Sequence, residues 1–263
     1  DQTCAFPNSM VDRITPTTVD ADRDHIDRTY GVRDAWPVVC EPFRQWVLED
    51  SVAKGRPDWT AVGVQVGDDV GAWELYKLRM LNAGHTSIAY LASLAGYTHV
   101  DQTLADPAFR WFLHQFLTTE AAIAVEPIDG FPASAYANNV IRRFSNTGVR
   151  DQIARLCADG AAKFSGFLVP TVESLLEDGN RAGLSALAFA GWAHYLTRQG
   201  EHDSATLVAL AERATRQPEL FVTENPLLPD AVRTSEPFRS AFERGYRTIA
   251  TAGVAAAIRS MRD

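Results

Sequence analysis

From about Ala72 onward, the apolar residues recur three and four positions apart, which is the spacing of amphipathic helices. One such face is formed by Phe109, Phe112, Leu113, Phe116 and Leu117, and another by Leu184, Leu187, Ala188, Trp192, Tyr195 and Leu196. Further helices are expected over about 133–145, 149–157, 163–177, 203–216 and 237–260. The pattern therefore predicts a mainly helical domain.

Two end signals support these helix boundaries. Gly179 in "EDGN" is typical of a residue that ends a helix, and Ser235 in "TSEP" is typical of a residue that caps the first turn of the next one. We expect these residues to close the helix that precedes position 180 and to open the last long helix.

Residues 1–70 follow a different pattern, because five prolines divide them into short segments. "RQWVLED" (44–50) and "AVGVQVGDD" (61–69) have the composition of strands, and "KGRPDW" between them contains turn residues. We therefore expect a small hairpin near 44–69, so that a short strand-containing region precedes the helical domain.

The composition restricts the class of partner. A formal net charge of -8 without a block of Lys or Arg disfavours a nucleic-acid or anionic-membrane surface, which leaves a small molecule as the expected partner. Cys4, Cys40 and Cys157 are far apart, and neither they nor the histidines have the spacing of a zinc site. We expect a cytoplasmic protein without a metal.

The stretch "KLRMLNAGHTSIAY" (77–90) combines an apolar composition with polar residues that suit catalysis. On a helical wheel, Glu74, Lys77, Asn82 and His85 project within an arc of about 140°. Apolar residues surround this arc, so the helix is expected to be buried and its polar groups to be paired or used. A desolvated lysine suits a general base, an asparagine amide can stabilise an oxyanion, and a histidine can hold a hydroxyl group.

A purely structural interpretation competes with this one. Glu74 and Lys77 have the spacing of a salt bridge, His85 suits a core position, and the Asn82 side chain can bond to a neighbouring loop. Spacing alone favours the structural interpretation.

Five motifs favour the catalytic interpretation when they are taken together. They are "FPNSMVDRITP" (6–16), "CEPFRQWVLED" (40–50), "GRPDW" (55–59), "KLRMLNAGH" (77–85) and "DGAAKF" (159–164). In this order they resemble the mannitol dehydrogenase family of metal-independent polyol and sugar-acid dehydrogenases. The resemblance runs along most of the chain and weakens after about residue 200. It implies a multi-helix substrate domain similar to the carboxyl-terminal domain of 6-phosphogluconate dehydrogenase.

Members of this family bind NAD or NADP in an amino-terminal Rossmann domain. No two glycines of this sequence are separated by a single residue, so the G-x-G-x-x-G fingerprint does not occur in it. We therefore expect the Rossmann domain to be absent, with residues 1–20 as a joining segment, residues 21–263 as the helical substrate domain, and the cofactor-binding residues outside this sequence.

The resemblance also implies roles for individual residues. Lys77 matches the general base, Asn82 the oxyanion-stabilising asparagine and His85 the substrate-orienting histidine. Glu74 matches a carboxylate that relays the proton to solvent.

Three further residues match substrate contacts of the family. Asp12 in "MVDRI" resembles a substrate-binding aspartate, and Arg155 and Lys163 match cationic substrate contacts. The alternatives for these residues are an ion pair or a turn for Asp12, and solvated helix charges for Arg155 and Lys163.

The expected activity is that of an NAD(P)-dependent mannitol 2-dehydrogenase, which converts mannitol to fructose and acts as a monomer. A fructuronate reductase is the alternative within the same chemistry, with Arg155 or Lys163 facing the substrate carboxylate. A different class, a non-catalytic helical binding module, is suggested by the missing cofactor fingerprint.

Overall fold

A computed structural model describes residues 4–199 and 204–262, and most of these residues are helical, as the periodicity predicts. The short strands are β1 (Ser9–Asp12), β2 (Gln45–Glu49) and β3 (Gln65–Gly67). The first helices are α1 (Asp20–Tyr30), α2 (Val70–Tyr76), α3 (Ala83–Leu94), α4 (Val100–Ala105), α5 (Pro107–Gln115), α6 (Ala133–Phe144), α7 (Ile153–Cys157) and α8 (Gly160–Lys163). They are followed by α9 (Val169–Glu177), α10 (Gly183–Gln199), α11 (Ala205–Ala214), α12 (Leu220–Thr223), α13 (Asp230–Thr234), α14 (Glu236–Ala252) and α15 (Val254–Arg259).

The predicted hairpin near 44–69 is wrong in its connection. Strands form where the composition indicates, but β2 and β3 pair in parallel, with Val47 opposite Gln65 and Glu49 opposite Gly67. Parallel neighbours require a crossover rather than a tight turn. The intervening segment supplies it and contains a 3₁₀ turn at Trp59–Val62. The antiparallel partner of β2 is β1, with Ser9 opposite Leu48 and Asp12 opposite Gln45.

Both predicted helix end signals are confirmed. The Ser235 side chain accepts a hydrogen bond from Phe238 N at the start of α14, and Gly179 follows α9 with a φ of +72°. The predicted helix over 237–260 is divided into α14 and α15 at Gly253, whose φ of +82° interrupts the helical backbone. Residue 203, at the start of another predicted helix, lies outside the described residues.

The core is organised around α3, which packs against α10, while α10 also packs against α14. Residues Ala83 to Ala92 of α3 are all buried, as the apolar residues on every side of this helix predict. Gly191 lets α10 approach closely, because a Cβ atom at this position would lie 2.7 Å from Leu91 Cδ2. The residues that begin α3 are therefore held on a rigid, central element.

No helix in residues 4–199 and 204–262 combines the length and apolar character that crossing a membrane would require.

Candidate active site

Three segments of the described part of the chain adopt the wide π-helical form, and two of them contribute to the candidate site. These two are Lys77–Asn82, which joins α2 to α3, and Phe164–Leu168, which joins α8 to α9. At the first segment, Ala83 N donates to Leu78 O, five residues earlier. Because π-helical turns are rare and are often found at functional sites, this turn identifies Lys77–Asn82 as a special part of the helix.

One cavity of about 320 Å³ gathers six of the seven predicted site residues. These are Asp12, Lys77, Asn82, His85, Arg155 and Lys163. Its apolar wall includes Ile14, Leu81, Leu156 and Phe167. Parts of the chain more than 140 residues apart in sequence, near residues 12 and 163, therefore meet at the cavity that Lys77, Asn82 and His85 share.

The Lys77 amine lies at this cavity and points towards β1. Its Nζ donates a hydrogen bond of 2.7 Å to the carbonyl oxygen of Val11. The side chain is half-buried, so it is more accessible than the fully desolvated amine that the sequence pattern predicts. One N–H of the amine is thereby directed to a fixed backbone acceptor.

The side-chain amide of Asn82 is available to a ligand. It lines the cavity, and no hydrogen bond joins it to any other described residue. The backbone oxygen of Asn82 accepts a bond of 3.0 Å from the Thr86 hydroxyl. The backbone is therefore held while the amide remains free.

His85 is held as a neutral ring. It is buried and stacks on Phe144, with ring centroids 3.7 Å apart and planes inclined by 3°. Burial lowers the pKa of His85 to about 3, although the carboxylate of Asp151, 3.8 Å from Nε2, acts in the opposite direction. The imidazole is therefore uncharged at neutral pH and suits a hydrogen-bonding role.

Glu74 is the predicted site residue that lies apart from the cavity. Its side chain is exposed on α2, and it does not line the space shared by Lys77 and Asn82. Among the described residues no ion pair involves Glu74, so the alternative of a salt bridge to Lys77 is not formed either.

Asp12 lines the cavity, but its carboxylate is already paired within the fold. Both of its carboxylate oxygens accept hydrogen bonds from Arg143, at 2.7 and 2.8 Å, and Tyr136 donates to it at 3.2 Å. Arg143 also binds Glu41, with Nη2 2.6 Å from Oε1, and all three charged side chains are buried. The ion-pair alternative for Asp12 is therefore the one that the fold adopts.

Sequence reasoning missed Arg143 and Glu41. Burial opposes the charge of Arg143, but the hydrogen bonds that it donates to Asp12 and Glu41 outweigh this effect and raise the pKa of the guanidinium above its ordinary value. A signal was present, because Glu41 belongs to the "CEPFRQWVLED" motif and Arg143 lies on the face of α6 that also carries buried Val140 and Phe144.

Arg155 and Lys163 are partly buried and engaged with the protein, so they are not solvated helix charges. Arg155 forms two hydrogen bonds to Asp151, of 2.7 and 2.5 Å. Lys163 Nζ donates to the carbonyl oxygens of Arg155 and Leu156, both at 3.0 Å. Burial, and then the nearby positive charge of Arg155, lower the pKa of Lys163.

Comparison with known proteins identifies the family. The family model described as "Mannitol dehydrogenase C-terminal domain" matches residues 69–221, which is more than half of the chain. The chain belongs to the mannitol dehydrogenase family. A second model, described as "Mannitol dehydrogenase Rossmann domain", matches residues 1–61.

Solved structures and relatives agree with this family. Pseudomonas fluorescens mannitol 2-dehydrogenase, in a ternary complex with NAD and D-mannitol, is 36% identical and superposes with a TM-score of 0.85 over 98% of this chain and 54% of that chain. A D-sorbitol dehydrogenase in substrate-free form is 31% identical, with the same TM-score, over 98% of this chain and 55% of that one. A mannitol dehydrogenase of Saccharomyces cerevisiae is 35% identical over 98% of this chain and 53% of that protein. The chain spans about half the length of each of these relatives.

The match at residues 1–61 overturns the expectation that the Rossmann domain is absent. The G-x-G-x-x-G fingerprint occupies one turn of such a domain, so its absence says nothing about the remaining strands. Within the match lie β1 and β2, which the resemblance alone assigned to a joining segment and to the helical domain. In the described part of the chain, no three His, Cys, Asp or Glu side chains converge as metal ligands would.

Proposed function

We propose that this chain forms the substrate-binding part of an NAD(P)-dependent polyol 2-dehydrogenase that interconverts a hexitol such as mannitol with its ketose. The observation that carries the proposal is the convergence of Lys77, Asn82 and His85 on one cavity of about 320 Å³. A hexitol has one hydroxyl group on every carbon, so a pocket for it needs several donors and acceptors close together. The similarity to a mannitol 2-dehydrogenase solved with NAD and D-mannitol supports this substrate class.

Lys77 is the general base of this proposal. An unprotonated amine at this position accepts the proton of the reacting hydroxyl group, and the bond from Nζ to Val11 O restricts where its lone pair can point. A bound nicotinamide cofactor would accept the hydride from the carbinol carbon. NAD or NADP fits this role, and the solved relative contains NAD.

Asn82 and His85 handle the oxygen atoms of the substrate. The free amide of Asn82 donates to the oxygen on which negative charge develops, and this contact is worth most in a partly enclosed site. The neutral His85 ring, fixed against Phe144, holds a neighbouring hydroxyl group. Glu74, exposed one turn before Lys77, is proposed to pass the proton on to solvent.

The charged side chains around the cavity bear on the choice between a neutral and an acidic substrate. Arg155 is paired with Asp151. Among the described residues Lys163, like Lys77 and Arg13, bonds to backbone carbonyl oxygens rather than to a carboxylate. This cation supports the second candidate, a fructuronate-type reductase in which Lys163 meets the substrate carboxylate.

The base assignment is tested by replacing Lys77 with Ala in the intact enzyme. Loss of a general base should lower kcat/KM for polyol oxidation by about a hundredfold to ten-thousandfold. Lys54→Ala is the matched control, because this lysine is exposed and away from the cavity, and it should leave kcat/KM unchanged. Equal turnover by the two variants would contradict the assignment.

The substrate is tested by comparing mannitol, fructose and fructuronate with each cofactor. We expect faster turnover of the neutral pair, and Lys163→Ala should then change KM only modestly. Much faster reduction of fructuronate, with a KM that rises steeply in Lys163→Ala, would instead identify a sugar-acid reductase.

A further inference from the structure

A second, smaller cavity of about 10 Å³ lies next to the His85 ring. The polar residues of its wall are His85, Asp101, Arg143, Asn146 and Asp151. His85 also lines the main cavity and is therefore shared by the two spaces.

Two atoms at this small cavity lack the partners that buried polar atoms normally have. His85 Nε2 and Asp101 Oδ1 are both enclosed, and neither has a hydrogen-bond partner within residues 4–199 and 204–262. The carboxylate of Asp151 lies near Nε2, but its Oδ2 is 3.8 Å away, which is too far for a direct hydrogen bond. A buried donor or acceptor without a partner costs about 1–3 kcal/mol, so groups of this kind are normally bridged.

We propose that the small cavity binds one water molecule that links His85 Nε2 to Asp101 and Asp151. The volume of the cavity matches a single water, which needs about 10–15 Å³ and two to four polar partners. The water accepts one hydrogen bond from Nε2–H and donates its two hydrogens to Asp101 Oδ1 and Asp151 Oδ2. Donors and acceptors are then balanced at all four groups.

This water determines the tautomer of His85. Arg143 directs its N–H groups to Asp12 and Glu41, so the carboxylate of Asp151 is the charged acceptor beside Nε2. An ionised carboxylate only accepts hydrogen bonds, so Nε2 is the nitrogen that carries the hydrogen. The neutral ring has a single N–H, and Nδ1 therefore keeps a lone pair. The next step rests on the proposed function: Nδ1 accepts a hydrogen bond from a substrate hydroxyl in the main cavity.

Asp101 acts as a positioning residue in this arrangement. It lines the small cavity and not the main one, so it influences the substrate only through the water and His85. Asp151 is itself fixed by its two bonds to Arg155. The contacts that run from Arg155 through Asp151 and the water to His85 thus fix the ring nitrogen that binds the substrate.

The first test is structural and needs no substrate. A high-resolution crystal structure of the intact protein should contain a water within hydrogen-bond distance of His85 Nε2 and Asp101 Oδ1. ¹⁵N NMR of histidine-labelled protein, with the His85 signals identified from a His85→Gln variant, should give the Nε2–H tautomer at pH 7. A site without water, or an Nδ1–H tautomer, would overturn the proposal.

The second test uses two Asp101 variants. Asp101→Leu fills the cavity and should shift His85 away from the pure Nε2–H tautomer and raise KM for the polyol about tenfold, as expected for one misplaced hydrogen bond. Asp101→Asn keeps an oxygen acceptor and should keep both the tautomer and a KM within about twofold of the original. Asp129→Leu, at an exposed acid, is the control and should change neither.

The outcomes separate this inference from the proposed function. If Asp101→Leu leaves the tautomer of His85 unchanged, the inference fails. If Asp101→Leu does not fold, the Asp101→Asn variant and the structure of the unmodified protein still decide it. If the intact protein oxidises no polyol while the water and the Nε2–H tautomer are found, the proposed function fails and the inference about His85 stands.

Discussion

Replacing Arg143 with Met should destabilise the protein strongly. Its side chain is 2% exposed and binds the carboxylates of Asp12 and Glu41, whose side chains are 2% and 1% exposed. The substitution preserves much of the side-chain volume but leaves two buried negative charges without a counter-ion. Removing one partner of a buried ion pair costs about 3–5 kcal/mol, and the upper end is expected here because two carboxylates are affected. The bonds from Ile14 N to Glu41 and from Tyr136 to Asp12 remain, but they carry no full positive charge.

Urea unfolding followed by circular dichroism measures this cost. Arg213→Met is the matched control, because Arg213 also pairs with a carboxylate, that of Glu224, but its side chain is 55% exposed. Its loss should cost at most about 0.5 kcal/mol. Adding Asp12→Asn and Glu41→Gln to Arg143→Met should recover part of the loss, since no buried charge then remains. Equal costs for the two arginine variants, or no recovery in the triple variant, would refute the electrostatic explanation.

Two other stability predictions follow from single sites. Burial raises the pKa of Glu120 from 4.5 to about 7. Its contribution to the free energy of unfolding is therefore fully present below pH 4.5 and is lost as the pH rises through about 7, a change of about 3 kcal/mol. Urea titrations over a pH series should show this decrease in the unmodified protein but not in Glu120→Gln, and parallel curves for the two proteins would contradict the prediction. Gly191→Ala should cost about 1–3 kcal/mol, because the new methyl group meets Leu91. Thermal melts measure both glycine variants. Gly166→Ala, where a Cβ has nothing within 4 Å, should not destabilise the protein. Equal losses of stability in the two variants would exclude the steric explanation.

The helices were predictable because burial on one face requires apolar residues at a regular spacing, and this spacing is visible among residues close together in the sequence. The pattern around Phe109 and Phe112 became α5, and the one around Trp192 became α10. The π-helical turn at Lys77–Asn82 was not predictable in this way. A single extra residue in one turn changes which side chains share a face, but it barely alters a hydrophobic period.

The same distinction between local and long-range features applies to the candidate site. Lys77, Asn82 and His85 lie within nine residues on one continuous helical segment, so their common direction was visible from spacing. The partners of Asp12 and His85 were not visible, because Arg143 is 131 residues from Asp12 and Asp151 is 66 residues from His85. Contacts of this range depend on how the helices pack, and a single sequence contains no periodic signal for them.

The buried ion-pair network and the candidate base are physically connected through β1. Arg143 holds Asp12, and the neighbouring residue Val11 supplies the carbonyl oxygen that accepts the bond from Lys77 Nζ. Asp12 and Val11 share one short strand whose antiparallel partner is β2, so the position of the Val11 carbonyl is fixed from two sides. The ion pair that stabilises β1 therefore also helps to determine where the Lys77 amine points. The carboxylate of Asp12 thus lines the cavity but bonds to Arg143, and the carbonyl oxygen of the neighbouring Val11 orients the candidate base.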